Sequence, residues 1–159
     1  MAVSTVRLSA RLVASANAST LHDWQALLGA LPKHQLFPAR AVGELTIDVA
    51  SGVVRLELPA EELVELSLSK LESTLDEYYT VIDKLEDIGP YTARAEALDM
   101  GKRVIHEAAA RALARHLPDL ANDHEVFRAF FSLVAALARP RPATLAPPSV
   151  RAGAGRTGD

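Results

Sequence analysis

The chain has 159 residues, no cysteine, and 17 Lys+Arg against 20 Asp+Glu, for a formal charge of −3. That length suits one domain able to bury roughly 68–70% of its unfolded surface, so it needs no covalent staple. Zero cysteine excludes disulfides, thiolate-held zinc, iron–sulfur clusters and thiol nucleophiles.

Hydrophobic residues make up 49% and charged residues 23%, as in folded proteins rather than disordered ones. No stretch approaches the ~20 apolar residues that span a bilayer, so no membrane partner is expected. The first twenty residues lack the apolar run and cleavage pattern of a secretory signal. Val6, Leu8, Ala10 and Leu12 alternate with Arg7, Ser9 and Arg11, the period-2 pattern of a half-buried strand. Ser19-Thr20 offers an N-cap for a short helix through Trp24, Leu27, Leu28 and Leu31, which Pro32 stops. Two alternating runs follow. Val42, Leu45, Ile47 and Val49 are joined through Ala50-Ser51-Gly52 to Val54, Leu56 and Leu58, which predicts a β-hairpin.

Residues 60–88 give the strongest helical signal. Val64, Leu68, Leu71, Leu75, Tyr78, Ile82 and Leu85 are spaced 4-3-4-3-4-3, a three-heptad seam that predicts a long helix and either a homodimer centred near Leu71 and Tyr78 or packing of the seam on the helix that follows in the same chain. Nine acids against Lys70 and Lys84 on this helix make either a solvated face or a docking face for a basic protein partner. After Gly89-Pro90, an alanine-rich helix is expected over 92–117. Asn122 with Glu125 three residues on forms a capping box. It opens a last helix over 123–139, whose Phe127, Phe130, Phe131, Leu133, Val134 and Leu137 predict a central buried element. From Pro140 onward, prolines, glycines, alanines and arginines show no periodicity; 140–159 is expected to be a disordered tail. The domain is therefore 1–139. Strands first and helices last imply an α+β fold. Its small antiparallel sheet, an N-terminal strand plus the hairpin, is packed by three to four helices, and its C-terminal half is all-helical.

No Walker loop, GxGxxG, HExxH, EF-hand loop or GxSxG occurs, and no two histidines lie three or four apart. No cofactor, metal site or catalytic residue is assigned. One segment of the 92–117 helix is unusual. At 100° per residue, Asp99, Arg103 and His106 point within about 60° of one another at the edge of the buried face. Gly101 sits between them, a poor helix former best tolerated where a backbone or ligand comes close. The pattern reads either as a binding site, with Arg103 clamping an anion and His106 handling a proton, or as an i, i+4 ion pair beside a packed histidine.

Ala97-Leu98-Asp99-Met100-Gly101-Lys102-Arg103-Val104-Ile105-His106 resembles the Ala-Ile-Asp-Met-Gly-Arg-Arg-x-Leu-His block of a small uncharacterised bacterial protein family. Asp76-Glu77-Tyr78-Tyr79 is similar to its Glu-Ser-Tyr-Tyr, and Phe127-Arg128-Ala129-Phe130-Phe131-Ser132-Leu133 to its closing helix. Two departures stand out. His106-Glu107-Ala108-Ala109 replaces His-Asn-Glu-Gly, and Glu65-Leu66 replaces an Arg-Arg pair. The resemblance implies a compact protein of the bacterial cytosol and supplies no activity. The sequence thus suggests a cytoplasmic, non-enzymatic binding or scaffolding protein that does not bind nucleic acid, its folded part being acidic. The alternative is an enzyme or sensor for a small anionic metabolite, with Arg103 as clamp and His106 as acid/base.

Overall fold

The computed structural model describes residues 3–40, 43–88 and 93–139. Strand β1 (Val3–Leu8) leads into helices α1 (Ala10–Ser15) and α2 (Ala18–Ala30) and a 3-10 turn at Lys33–Gln35. Strands β2 (Gly43–Ala50), β3 (Val53–Leu58) and β4 (Glu62–Ser67) follow. After a 3-10 turn at Leu68–Leu71 come α3 (Glu72–Ile88), α4 (Ala93–His116) and α5 (His124–Ala138). The fold is α+β and its C-terminal half is helical.

The sheet departs from expectation at both ends. Its order is β1-β2-β3-β4, and β1 pairs with β2 in parallel, with Leu8 opposite Ile47. The sheet is therefore mixed rather than antiparallel. The cause is the stretch holding α1 and α2, which is long enough to carry the chain back to the same end. β1 is also shorter than its alternation suggests. Ser9 ends it by capping α1, its Oγ accepting from the Leu12 N–H at 3.2 Å. Leu8 and Leu12, four apart, satisfy a helical period as well as an alternating one.

Residues 60–67 correct the long-helix expectation. After Pro59 the chain turns with Ala60 and Glu61 both left-handed, at φ 65° and 60°. It returns as β4, antiparallel to β3, with Leu56 opposite Val64 and Val54 opposite Leu66. On the other face Arg55 and Glu65 pair at 3.0 Å. Left-handed backbone costs of order 1–2 kcal/mol at each non-glycine residue; the added ladder and its cross-strand pairs offset that cost. The heptad therefore breaks, and helical spacing holds only from Leu71 on. Leu71, Leu75 and Tyr78 are buried inside the chain's own core, so this part of the seam faces the molecule's interior rather than a second copy.

The hairpin turn forms where expected, at Ser51 and Gly52, both at positive φ. Two caps shift by one or two residues. Asn17, not Ser19, caps α2, accepting from the Thr20 N–H at 2.7 Å. Asp123, not Asn122, caps α5, accepting from the Glu125 N–H at 2.9 Å. Each cap residue keeps an extended backbone, which lets its side chain fold over the first turn. Helix α5 is the central element, with Val126, Phe127, Phe130, Phe131, Leu133, Val134, Ala135 and Leu137 all buried. It packs on α2, α4 and β2. Val42, the Gly89-Pro90 break and segment 140–159 lie outside the described residues. Among those described, no helix is long and apolar enough to cross a membrane.

Candidate functional site

Helices α2, α3, α4 and α5 converge around a cavity of about 680 Å³, within the range of small-molecule sites. Asp23, Trp24 and Leu27 come from α2, and Tyr78, Tyr79, Ile82 and Glu86 from α3. Lys102 and His106 come from α4, and Ser132, Ala135 and Arg139 from α5 and its C-terminal end. The three- and four-residue spacings within each group are those of one helix face, so each helix contributes a continuous stripe.

His106 is the chemically distinctive member. Its ring lies 5.1 Å from that of Tyr78 and meets Phe131 edge-on at 5.7 Å. Its Nε2 is buried and has no hydrogen-bond partner among the described residues. Burial first, then the charges of Lys102 and Arg128, hold its pKa below the ordinary 6.5. The imidazole is therefore neutral near pH 7, with one nitrogen unsatisfied. Such a group costs about 1–3 kcal/mol unless something pairs with it.

The tyrosines form a fixed wall. Burial raises the Tyr78 pKa, more than its hydrogen bond with Ser132 and the charge of Arg139 lower it. Tyr79 donates to the Ala135 carbonyl at 2.6 Å, and burial pushes its hydroxyl up to about 12 against the opposing charge of Arg139. Both stay protonated at neutral pH. Arg139 is occupied by Asp83 and lies 5.6 Å over the Tyr79 ring. The Lys102 ammonium sits 6.0 Å from the Tyr78 ring centroid, and no carboxylate pairs with it among the described residues.

The three residues singled out in the sequence part company here. Asp99 and Arg103 bind each other at 3.2 Å, with the Arg103 side chain 77% exposed. Neither lines the cavity, whereas His106 does. Lys102 is the lining cation that the sequence reading passed over. Its signal was present: at 100° per residue it falls between Leu98 and His106 on the buried face, one turn before the histidine. A lysine in that position needs a reason. Glu107, where the chain departs from the family pattern, turns toward α5, pairing with Arg128 and lying 3.5 Å from His124. Glu65-Leu66, the other departure, lies on β4 and not on a helix.

Chemically, the cavity offers a neutral imidazole, the cations of Lys102 and Arg139, the carboxylates of Asp23 and Glu86, fixed hydroxyls and aromatic faces. Among the described residues no hydroxyl or carboxylate is hydrogen-bonded to the His106 Nε2. No three His, Asp or Glu side chains among the described residues converge as a metal requires.

No curated protein and no solved structure matches the chain. One family model matches residues 5–139, taking in all five helices and the sheet but for the first two residues of β1, and on that match this chain belongs to the uncharacterised protein family UPF0262.

Proposed function

We propose that this chain is a non-enzymatic binding protein of the bacterial cytosol, a homodimer whose ligand is a small molecule held in the four-helix cavity. The observation that carries this reading is the buried, unpartnered Nε2 of His106 on the cavity wall. A ligand atom that hydrogen-bonds to it relieves a standing cost, and that relief appears as affinity. Trp24 and Tyr78 add flat aromatic surface suited to a planar or apolar ligand body. A thermal-shift screen of phosphorylated metabolites, small carboxylates and planar heterocycles tests it. At a hundredfold excess over Kd a ligand contributes about 2.7 kcal/mol. The expected result is a hit that stabilises the wild type and fails to stabilise His106→Gln. A screen without hits, or hits that act equally on both proteins, would sink the reading.

A second reading, an enzyme or sensor for a small anionic metabolite, is favoured by Lys102, which has no ion-pair partner among the described residues, beside a neutral imidazole. An anion at Lys102 offsets one of the charges that hold the His106 pKa down, so anion binding moves that pKa upward. Arg103 joins as a clamp only by leaving Asp99. An NMR titration of the His106 ring with inorganic phosphate distinguishes the two. An upward pKa shift supports the anion site, and an unmoved pKa leaves the uncharged-ligand reading.

A further inference from the structure

We propose that α4 is the homodimer contact: its exposed stripe around Met100, Gly101 and Val104 seats in the groove between α3 and α4 of a second copy. Met100 and Val104 are 65% and 66% exposed and lie four residues apart on one side of α4, so they form an apolar strip rather than scattered single residues. Val104 lines a groove of about 570 Å³ together with Val81, Gly101 and Ile105, with Asp76 and Glu77 on its α3 side.

Gly101 points to what fills it. A Cβ placed there would meet nothing within 4 Å among the described residues, so none of them requires glycine at this position. A helix interior disfavours glycine, and its use fits a backbone approached closely from outside the chain. Charge then selects the occupant. Helix α3 presents Asp76 and Glu77 to the groove, and α4 carries exposed Arg111 and Arg115 within about 60° of Met100, on the side of its apolar stripe. Asp76 and Glu77 have no ion-pair partner among the described residues. A second copy's α4 lays these arginines beside this acidic wall. Because each copy has both helices, a two-fold contact makes that match twice. The acidic α3 face, otherwise a surface for a basic protein, is thereby satisfied by the chain itself.

Light scattering of the full chain at micromolar concentration tests this. The wild type is expected at twice 17.1 kDa. Val104→Glu and Gly101→Leu should each raise the dimer dissociation constant at least tenfold, with unchanged far-UV circular dichroism, since both positions have room in the monomer. Leu63→Lys, at an exposed apolar position away from α4, on edge strand β4 (49% exposed), should leave the dimer intact. A monomer at every concentration overturns the proposal. So does a dimer that survives Val104→Glu and Gly101→Leu, or one that Leu63→Lys dissolves, which would move the contact to the strand edge. Ligand binding in the cavity is a separate readout and does not bear on this outcome.

Discussion

His106 and Arg103 lie on the same helix, three residues apart, and meet opposite environments. Arg103 stays in water, where its pair with Asp99 contributes a few tenths of a kcal/mol at most. His106 is drawn among aromatic rings and loses its proton affinity to burial and to two nearby cations. The direction of that shift has a consequence. With the folded pKa below the unfolded value of 6.5, the unfolded chain takes up a proton first as pH falls. Stability is full above about pH 6.5 and declines below it until the folded pKa is passed. Replacing His106 with Gln removes that proton uptake. The melting temperature of His106→Gln should fall less steeply than that of the wild type between pH 6.5 and 5. Parallel curves would mean that the histidine titrates normally.

At the scale of elements, two attachments decide the architecture. Helix α1 is tied to the sheet through Asp48, a buried carboxylate in β2. The Ser9 hydroxyl donates to it at 2.6 Å and Arg11 at 2.7 Å. Burial pushes this carboxyl up, but those two hydrogen bonds and the charges of Arg11 and Arg55 outweigh it and hold the pKa below 3.8. The contribution is present above the unfolded pKa and lost as acid protonates the folded carboxylate. Asp48→Asn should cost about 1–3 kcal/mol at pH 7, about 2–4 °C of melting temperature per kcal/mol in a chain of this size. The gap to wild type should close in strong acid. Thermal melts at pH 7 and through a descending acid series check both parts, and a gap that stays constant throughout would refute the second. The second attachment is β4. Read locally, Leu63-Val64-Glu65-Leu66 belongs to a heptad; set beside β3, the same residues place Val64 and Leu66 opposite Leu56 and Val54.

For the whole molecule, the described residues already close a single core from Val3 to Leu137. The segment 140–159 has four prolines, three glycines and no apolar periodicity, so it has little to add to that core. Deleting it should move the melting temperature by less than ~2 °C, corresponding to under ~0.5 kcal/mol. A fall of ten degrees would mean that the tail packs on the body.

Much of this architecture was written locally. The Ser51-Gly52 turn, the Pro32 stop and the aromatic face of α5 each rest on residues that interact within a few positions of one another, so the hairpin, the end of α2 and the buried last helix were legible in sequence. The parallel placement of β1, the strand at 62–67 and the cavity were not. The first and last depend on partners far along the chain: Ile47 for Leu8, and Tyr78, Phe131 and Ser132 around or beside His106. The strand at 62–67 is as local as the first hairpin, but its turn puts Ala60 and Glu61 in left-handed backbone, where no glycine signals it. A spacing of three or four residues reports which side chains share a face, and it placed Asp99, Arg103 and His106 together on α4. Only the packing of α2, α3 and α5 against that helix decided that Lys102 and His106 enter a cavity while Arg103 remains in solvent, because burial is a property of what arrives opposite a residue and not of the residue itself.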